Sequence, residues 1–268
     1  GITSIGCHTN LWDFTKYNYH EWVSKEEIMD KLAPIHSSSK ASRITYKENS
    51  FNVGIGLHDS SAALIPYITC FQEPFVLLST GTWCISLNPF NHTPLTTDEL
   101  KHDCLCYLTF EGKPVKASRL FSGYVHEQET KKMAEHFHVA VDYFQKAKYQ
   151  PELIKRLSRS EYSSQNLDFY SSFDEAYTHL IMHLVKQQVT STNLVLKNSP
   201  ARRIFVDGGF SHNEIYMRFL SHAYPEIQVS AASVAQATAV GAAMAIHSYW
   251  NSKPIPANLI QLMDYRQD

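Results

Sequence analysis

The chain has 268 residues, 44% of them hydrophobic, which is enough for one large domain or two small ones with a substantial core. A formal net charge of -2 argues against the basic face that nucleic-acid-binding proteins present. The sequence has no apolar run of membrane-spanning length and, among its five cysteines, no C-x-x-C pair. Because no charged segment followed by an apolar one opens it, we expect no signal peptide. We therefore expect reduced thiols, no membrane partner and a cytoplasmic location.

The first fifty residues carry weak signals. Residues 2–14 predict a strand that runs into a turn, and residues 20–32 predict a helix, with Ser24 and Glu27 at capping-box spacing. Residues 34–50 are polar and rich in Ser and Lys, which is typical of a connector. We expect a domain boundary there, with residues 1–50 in one unit and residues 51–268 in the other.

Residues 51–65, FNVGIGLHDSSAALI, predict a buried strand that passes into a helix. Asp59 falls between the two, at the place where α/β proteins collect their ligands. Two interpretations of Asp59 stay open from the residues alone. Its carboxylate could take a proton from a substrate hydroxyl, or it could only cap the helix.

Residues 75–90 predict a hairpin of two apolar strands joined by Ser79-Thr80-Gly81-Thr82. A small, hydroxylated turn with a glycine can direct N–H groups and hydroxyls at a phosphate. An ordinary glycine turn is the alternative. Helices are predicted over 124–137 and 171–197, with a loop near 157–168 between them.

The helix over 171–197 has a capping box at Ser172 and Glu175. His179 and His183 lie four residues apart on it, but the Glu of a zinc-protease motif is missing. We therefore expect packed or exposed histidines rather than metal ligands.

Residues 203–224 predict a second strand–turn–helix unit, with Asp207-Gly208-Gly209 as the turn and a capping box at Ser211 and Glu214. Adjacent glycines let a flat group lie against the backbone, and a helix N-terminus favours negative charge. A strand from Ile227 to Ser230 and an alanine-rich helix over 233–248 follow. The small residues of that helix allow close packing on a sheet or around a bound nucleotide.

Four short motifs occur in order along the chain: G-L-H-D at 56–59, followed by S-S-A-A, then S-T-G-T-W at 79–83, D-G-G-x-x-x-N at 207–213 and A-T-A-V-G-A-A at 237–243. In their order and separation they resemble the FGGY carbohydrate kinases, particularly the rhamnulokinase- and fuculokinase-like members. The resemblance implies an α/β fold of the actin-like (ribonuclease H-like) ATPase type, with a mixed sheet flanked by helices. It also implies transfer of the γ-phosphoryl group of ATP to a sugar hydroxyl, with Mg²⁺.

The resemblance assigns roles to individual residues. Asp59 corresponds to the general base of the family, and His58 and Ser60 would lie beside the sugar. The residues implied at ATP are Gly81, Thr82, Gly208, Gly209 and Asn213. No metal ligand is implied within this chain.

The chain also departs from the family pattern. Leu120 stands where rhamnulokinases have an ATP-contacting Asn, and Gln236 stands where a Glu is common. The D-x-G-T-[ST] motif that would hold phosphate and magnesium is absent from the sequence. We therefore expect the end of a first, sugar-binding domain joined to a second, nucleotide-binding domain, inactive by itself and able to associate as a homodimer.

Two other functions stay open: an actin-like ATPase without sugar chemistry, and a nucleotide-binding or regulatory module without catalysis. The sequence does not identify the sugar.

Overall fold

The computed structural model describes residues 1–163, 165–234, 236–256 and 258–265, without the side chain of Cys7. The strands in these ranges are β1 Trp12–Asp13, β2 Asn18–Tyr19, β3 Ala41–Tyr46, β4 Asn49–Gly54, β5 Phe75–Thr80, β6 Cys84–Asn88, β7 Cys104–Leu108, β8 Pro114–Leu120, β9 Arg203–Gly208, β10 Gln228–Ser233 and β11 Gln261–Tyr265. The α-helices are α1 Glu21–Lys25, α2 Asp59–Cys70, α3 Thr97–Lys101, α4 Ser122–His136, α5 Pro151–Leu157, α6 Phe173–Leu196, α7 Glu214–Ala223 and α8 Ala237–Ala245.

A seven-stranded mixed sheet is the centre of the fold, in the order β11-β10-β9-β5-β6-β8-β7. Strands β5, β9 and β10 are parallel, whereas β6, β8, β7 and β11 join as antiparallel neighbours. The parallel strands end together, so the turns after β5 and β9 meet at one edge. This is the mixed sheet with flanking helices that the sequence resemblance implied.

Side chains of alternate residues supply two cores on opposite faces of the sheet. Val76 and Leu78 of β5 point into the core formed with α4, α6 and α7. Phe75 and Leu77 of the same strand point into the core formed with α2 and α8. Because β5 is buried on both faces, its sequence is a continuous apolar run.

Helix α6 matches the prediction closely. Ser172 is its N-cap and accepts a hydrogen bond from the Glu175 N–H at 3.3 Å, whereas the Glu175 carboxylate turns to Ser171. His179 is a packed histidine, as expected: its Nδ1 lies 2.9 Å from the Tyr170 hydroxyl and its Nε2 lies 3.2 Å from the Ser160 carbonyl oxygen.

The backbones of helices α2 and α8 are in direct contact. A Cβ placed on Gly241 would lie 1.8 Å from the Ala62 carbonyl oxygen, so only glycine is accommodated there. Of the small residues predicted to form a surface of α8, Ala237 and Gly241 are buried, whereas Ala239, Ala242 and Ala243 are exposed. Within the described residues, no helix is long and apolar enough to cross a membrane.

The predictions for the N-terminal part are mostly wrong. Residues 2–14 form two 3₁₀ turns, Ile2–Ile5 and Cys7–Thr9, before the two-residue strand β1. The helix predicted over 20–32 ends at Lys25. A 3₁₀ turn at Met29–Lys31 follows it.

Residues 41–50 of the predicted connector and residues 51–54 of the predicted buried strand Phe51–Ile55 are instead parts of one exposed hairpin, β3–β4. Phe51 is 48% exposed. The turn consists of Lys47 and Glu48, which both have positive φ, 46° and 66°. Such turns favour Asn and Gly, so this one has no sequence signature. The hairpin spans positions 50 and 51, and the domain boundary placed between them stays a prediction.

Candidate functional site

The site begins where β5 and β9 end side by side, with Thr80 opposite Gly208. The Thr80 hydroxyl donates a hydrogen bond to the Asp207 carbonyl oxygen at 2.6 Å and accepts one from the Phe210 N–H at 3.0 Å. Gly208 has a φ of +89°, and a Cβ there would lie 1.9 Å from the Thr80 carbonyl oxygen. Only glycine allows the two strand ends to meet in this way.

Helix α4 holds the β5–β6 turn in place. The Tyr124 N–H donates to the Thr82 carbonyl oxygen at 3.1 Å, and a Cβ on Gly123 would lie 1.8 Å from the Gly81 carbonyl oxygen. The Gly81 N–H bonds to the Trp83 carbonyl oxygen at 2.9 Å. That N–H therefore closes the turn, whose residues Gly81, Thr82 and Trp83 are all exposed.

Two cavities lie on either side of Thr80 and Gly81, which line both of them. The first cavity, about 540 Å³, is also lined by Gly123, His126, Lys148, Gly209 and Asn213. The second cavity, about 420 Å³, is also lined by His58, Asp59, Ser60, Thr82, Tyr107 and Arg119. Gly208 is the one predicted site residue that neither cavity has in its described lining, although it is exposed.

The first cavity has an open glycine face. An ideal Cβ on Gly209 would have no atom within 4 Å, and its φ lies outside the left-handed region. Asn213 is the N-cap of α7, because its Oδ1 accepts a hydrogen bond from the Tyr216 N–H at 3.0 Å. The predicted capping box at Ser211 and Glu214 is therefore wrong. Ser211 instead donates to the Gly208 carbonyl oxygen at 2.7 Å.

A chain of hydrogen bonds fixes the Asn213 side chain from behind. Its Nδ2 donates to the Tyr177 hydroxyl at 2.7 Å, and that hydroxyl lies 2.9 Å from Nε2 of His126. Burial lowers the pKa of His126 to about 4, so its imidazole is neutral at physiological pH. In the neutral tautomer whose Nε2 carries no hydrogen, that nitrogen accepts a hydrogen bond from the Tyr177 hydroxyl, and the hydroxyl oxygen accepts one from Asn213.

Asp59 lies at the edge of the second cavity. Helix α2 begins at Asp59 with His58 in the N-cap position, so the capping interpretation does not hold. The carboxylate Oδ1 accepts a hydrogen bond from the Ser60 N–H at 2.6 Å, yet the side chain is 78% exposed. The carboxylate therefore lies in the first turn of α2 and is accessible from the second cavity.

His58 lies behind Asp59. Its ring stacks on His8, with centroids 4.8 Å apart, and contacts Tyr107 at 4.9 Å. Its Nε2 is 3.6 Å from Oδ1 of Asp59, and burial lowers its pKa. Its Nδ1 is buried without a hydrogen-bond partner among the described residues.

Several residues of the two cavities lie outside every sequence motif: His126, Lys148, Tyr107 and Arg119. Their positions depend on strand register and helix packing, for which a single sequence has no local signal. Among the described residues, no group of three or more His, Cys, Asp or Glu side chains could hold a metal ion.

Comparison with known families identifies the class of protein. The family model described as carbohydrate kinase FGGY, C-terminal domain, matches residues 72–254. The chain therefore belongs to the FGGY carbohydrate kinase family. No curated protein sequence matches it.

Solved structures share the fold at low identity. A carbohydrate kinase from Novosphingobium aromaticivorans matches with a TM-score of 0.70 at 20% identity, over 98% of this chain and 61% of its own. A ligand-bound xylulose kinase from Lactobacillus acidophilus matches with a TM-score of 0.72 at 10% identity, over 97% of this chain and 58% of its own. Plasmodium falciparum glycerol kinase with ADP matches with a TM-score of 0.61 at 14% identity, over 90% of this chain and 53% of its own.

These structures have the actin-like ATPase fold, which is therefore the fold of this chain. The chain spans about three fifths or less of their length.

Proposed function

We propose that the protein carrying this chain is an ATP-dependent sugar kinase, which phosphorylates a hydroxyl of a ketose or deoxy-ketose of the rhamnulose, fuculose or xylulose type. The observation that carries the proposal is the pair of cavities that meet at Thr80 and Gly81. One has the size and the glycine face suited to a nucleoside, and the other has an accessible carboxylate at a helix N-terminus. ATP lying across Thr80 and Gly81 would bring its γ-phosphoryl group towards Asp59.

The first cavity would hold the adenosine. Gly209 leaves room for a flat group against the backbone, and the amide of Asn213 is held in one orientation by hydrogen bonds at both ends. A volume of about 540 Å³ is within the usual range of small-molecule sites. Gly208 would act indirectly, by letting the turn approach Thr80, and Gly81 and Thr82 would lie along the phosphates.

The second cavity would hold the reacting groups. Asp59 accepts the proton of the sugar hydroxyl while the sugar oxygen bonds to the γ-phosphorus and the bond to the bridging oxygen of ADP breaks. A general base needs to reach the hydroxyl, which the exposure of Asp59 permits. His58 and Ser60 flank this carboxylate and are proposed to contact the sugar.

Magnesium is proposed as the ion that accompanies ATP in phosphoryl transfer. The donor groups of the described residues do not form a metal cluster by themselves. The proposal therefore assigns no magnesium ligand among them.

A cytoplasmic location is also proposed, supported by thiols such as Cys70 and Cys84, which form no disulfide. Association into a homodimer stays a prediction.

The test is sugar-dependent release of ADP by the full-length protein that contains this chain, with a panel of ketoses and deoxy-ketoses. We expect turnover with at least one sugar at typical kinase rates, about 1–100 s⁻¹. ATP hydrolysis that no sugar stimulates would contradict the proposal and favour an actin-like ATPase. Nucleotide binding without any turnover would favour a regulatory module.

A further inference from the structure

One positively charged side chain, that of Arg119, lines the second cavity. Arg119 lies near the end of β8, opposite Ile85 of β6, and both residues line this cavity together with Asp59. No sequence motif includes Arg119.

The guanidinium of Arg119 is held in place from two sides. Its Nη2 lies 2.6 Å from Oδ1 of Asp103, and its guanidinium carbon lies 5.4 Å from the centroid of the Trp83 ring. The backbone N–H of Arg119 also donates a hydrogen bond to the Asp103 carbonyl oxygen at 3.1 Å, which keeps the two residues side by side. A guanidinium ordered in this way loses little further conformational entropy when it binds an anion.

A bound phosphate would need a positive charge in the second cavity, and Asp59 and His58 do not supply one. Asp59 is negative, and the lowered pKa of His58 keeps that ring neutral. Among the described residues that line the second cavity, Arg119 alone carries a permanent positive charge. The triphosphate of ATP is negative, so the negative Asp59 carboxylate would repel it. Phosphoryl transfer depends on cations that offset the negative charge of the phosphoryl oxygens.

We propose that Arg119 binds the γ-phosphoryl oxygens of ATP and stabilises the charge that they carry during transfer. This inference rests on the proposed function. In the step, the sugar oxygen bonds to the γ-phosphorus, the bond from that phosphorus to the bridging oxygen breaks, and ADP leaves with the electron pair. Asp59 takes the hydroxyl proton, and Arg119 keeps its own protons, contributing its positive charge and hydrogen bonds from its planar guanidinium. The carboxylate of Asp103 holds the guanidinium of Arg119 on one side, and other N–H groups of the guanidinium face the phosphoryl oxygens.

The experiment compares two ligands, of which only one carries a γ-phosphoryl group. Calorimetry on the full-length protein measures Kd for ADP and for a non-hydrolysable ATP analogue, in wild type and in Arg119→Met. We expect the analogue to lose about 10-fold or more in affinity while ADP changes less than about two-fold, as fits the loss of a hydrogen bond to a charged group. In the sugar-dependent assay, kcat should fall on the order of 10²- to 10³-fold, as for removal of one transition-state donor.

Lys148→Met is the matched control, because Lys148 is a cation that lines the first cavity. It should change the affinities for ADP and for the analogue by the same factor. Arg119→Lys keeps a charge but loses the planar fork. Arg119→Lys should retain the fold and show an intermediate loss of kcat. If Arg119→Met does not fold, the kcat and the analogue affinity of Arg119→Lys test the proposal.

Equal weakening of ADP and analogue by Arg119→Met would mean a structural role and would overturn the proposal. Wild-type kcat and analogue affinity in Arg119→Lys would also overturn it. A wild-type protein with no sugar-dependent turnover, whose preference for the analogue nevertheless depends on Arg119, would refute the kinase function and leave the phosphate contact standing.

Discussion

The two cavities differ in how they would recognise a ligand. The first is shaped by a glycine face, a doubly anchored amide and a neutral histidine. The second has an exposed carboxylate at a helix N-terminus and an ordered guanidinium. The first is therefore suited to binding by shape and hydrogen bonds, whereas the second is suited to moving a proton and a charged group. Substitutions in the two cavities should separate binding from turnover.

The largest expected effect is on turnover. In the full-length protein, Asp59→Asn should lower kcat by about 10²- to 10⁴-fold, the usual contribution of a general base, and leave ADP affinity nearly unchanged. Steady-state kinetics and calorimetry measure the two. Asp98→Asn is the control, because Asp98 is another exposed carboxylate in the first turn of a helix. Normal turnover in Asp59→Asn would remove Asp59 from the chemistry.

A second prediction separates the two adjacent glycines. Gly208→Ala should lower the free energy of unfolding by about 1–3 kcal/mol or more, because of its positive φ and the close Thr80 carbonyl oxygen. Gly209→Ala should change stability by less than about 0.5 kcal/mol, as for a surface substitution, and should weaken nucleotide binding. Gly209→Val should weaken it further.

Urea unfolding and calorimetry test this pair of glycines. If Gly209→Val is folded and has unchanged nucleotide affinity, the nucleotide binds elsewhere.

A third prediction concerns the effect of acid on the first cavity. The pKa of His126 is about 4 in the folded chain against 6.5 without burial, so between these values the unfolded state binds more protons. Stability must then fall as the pH falls below 6.5. From pH 7.5 to 5, His126 should account for a loss of about 2 kcal/mol in the free energy of unfolding.

Urea unfolding of wild type and His126→Gln at the two pH values isolates this contribution, since the other histidines titrate in both. An equal loss in the two proteins would exclude His126 as its source.

The smallest effect should come from the hydrogen-bond chain. Tyr177→Phe removes the hydroxyl that joins His126 to Asn213, and each such bond contributes about 0.5–1.5 kcal/mol. We expect nucleotide affinity to fall by about 3- to 10-fold with little change in kcat. Tyr216→Phe is the matched control, because the buried Tyr216 hydroxyl has no hydrogen-bond partner among the described residues. Identical affinities in the two variants would contradict a role for the chain in orienting Asn213.

Sequence patterns predicted the sheet better than the N-terminal part for a physical reason. β5 and β9 are buried on both faces, so they are apolar runs that end in glycine turns. The β3–β4 hairpin is exposed, and its Lys47–Glu48 turn lacks Asn and Gly, so composition indicated a connector. Buried strands leave a pattern in the sequence, whereas a solvated ribbon leaves very little.

The same limit applies to the site. Asp59, Gly209 and Asn213 could be predicted because each follows a strand end or a local turn. Arg119 and Tyr177 could not, because Arg119 reaches its cavity through the register of β6 with β8 and Tyr177 reaches Asn213 through the packing of α6 on α7.

The contact between Gly241 and Ala62 has a mechanical consequence. With no side chain between their backbones, α2 and α8 are in direct contact at Ala62, in the first turn of the helix that Asp59 begins. Any side chain at position 241 would push the two helices apart, so Gly241 also sets the distance between α8 and the turn that carries Asp59.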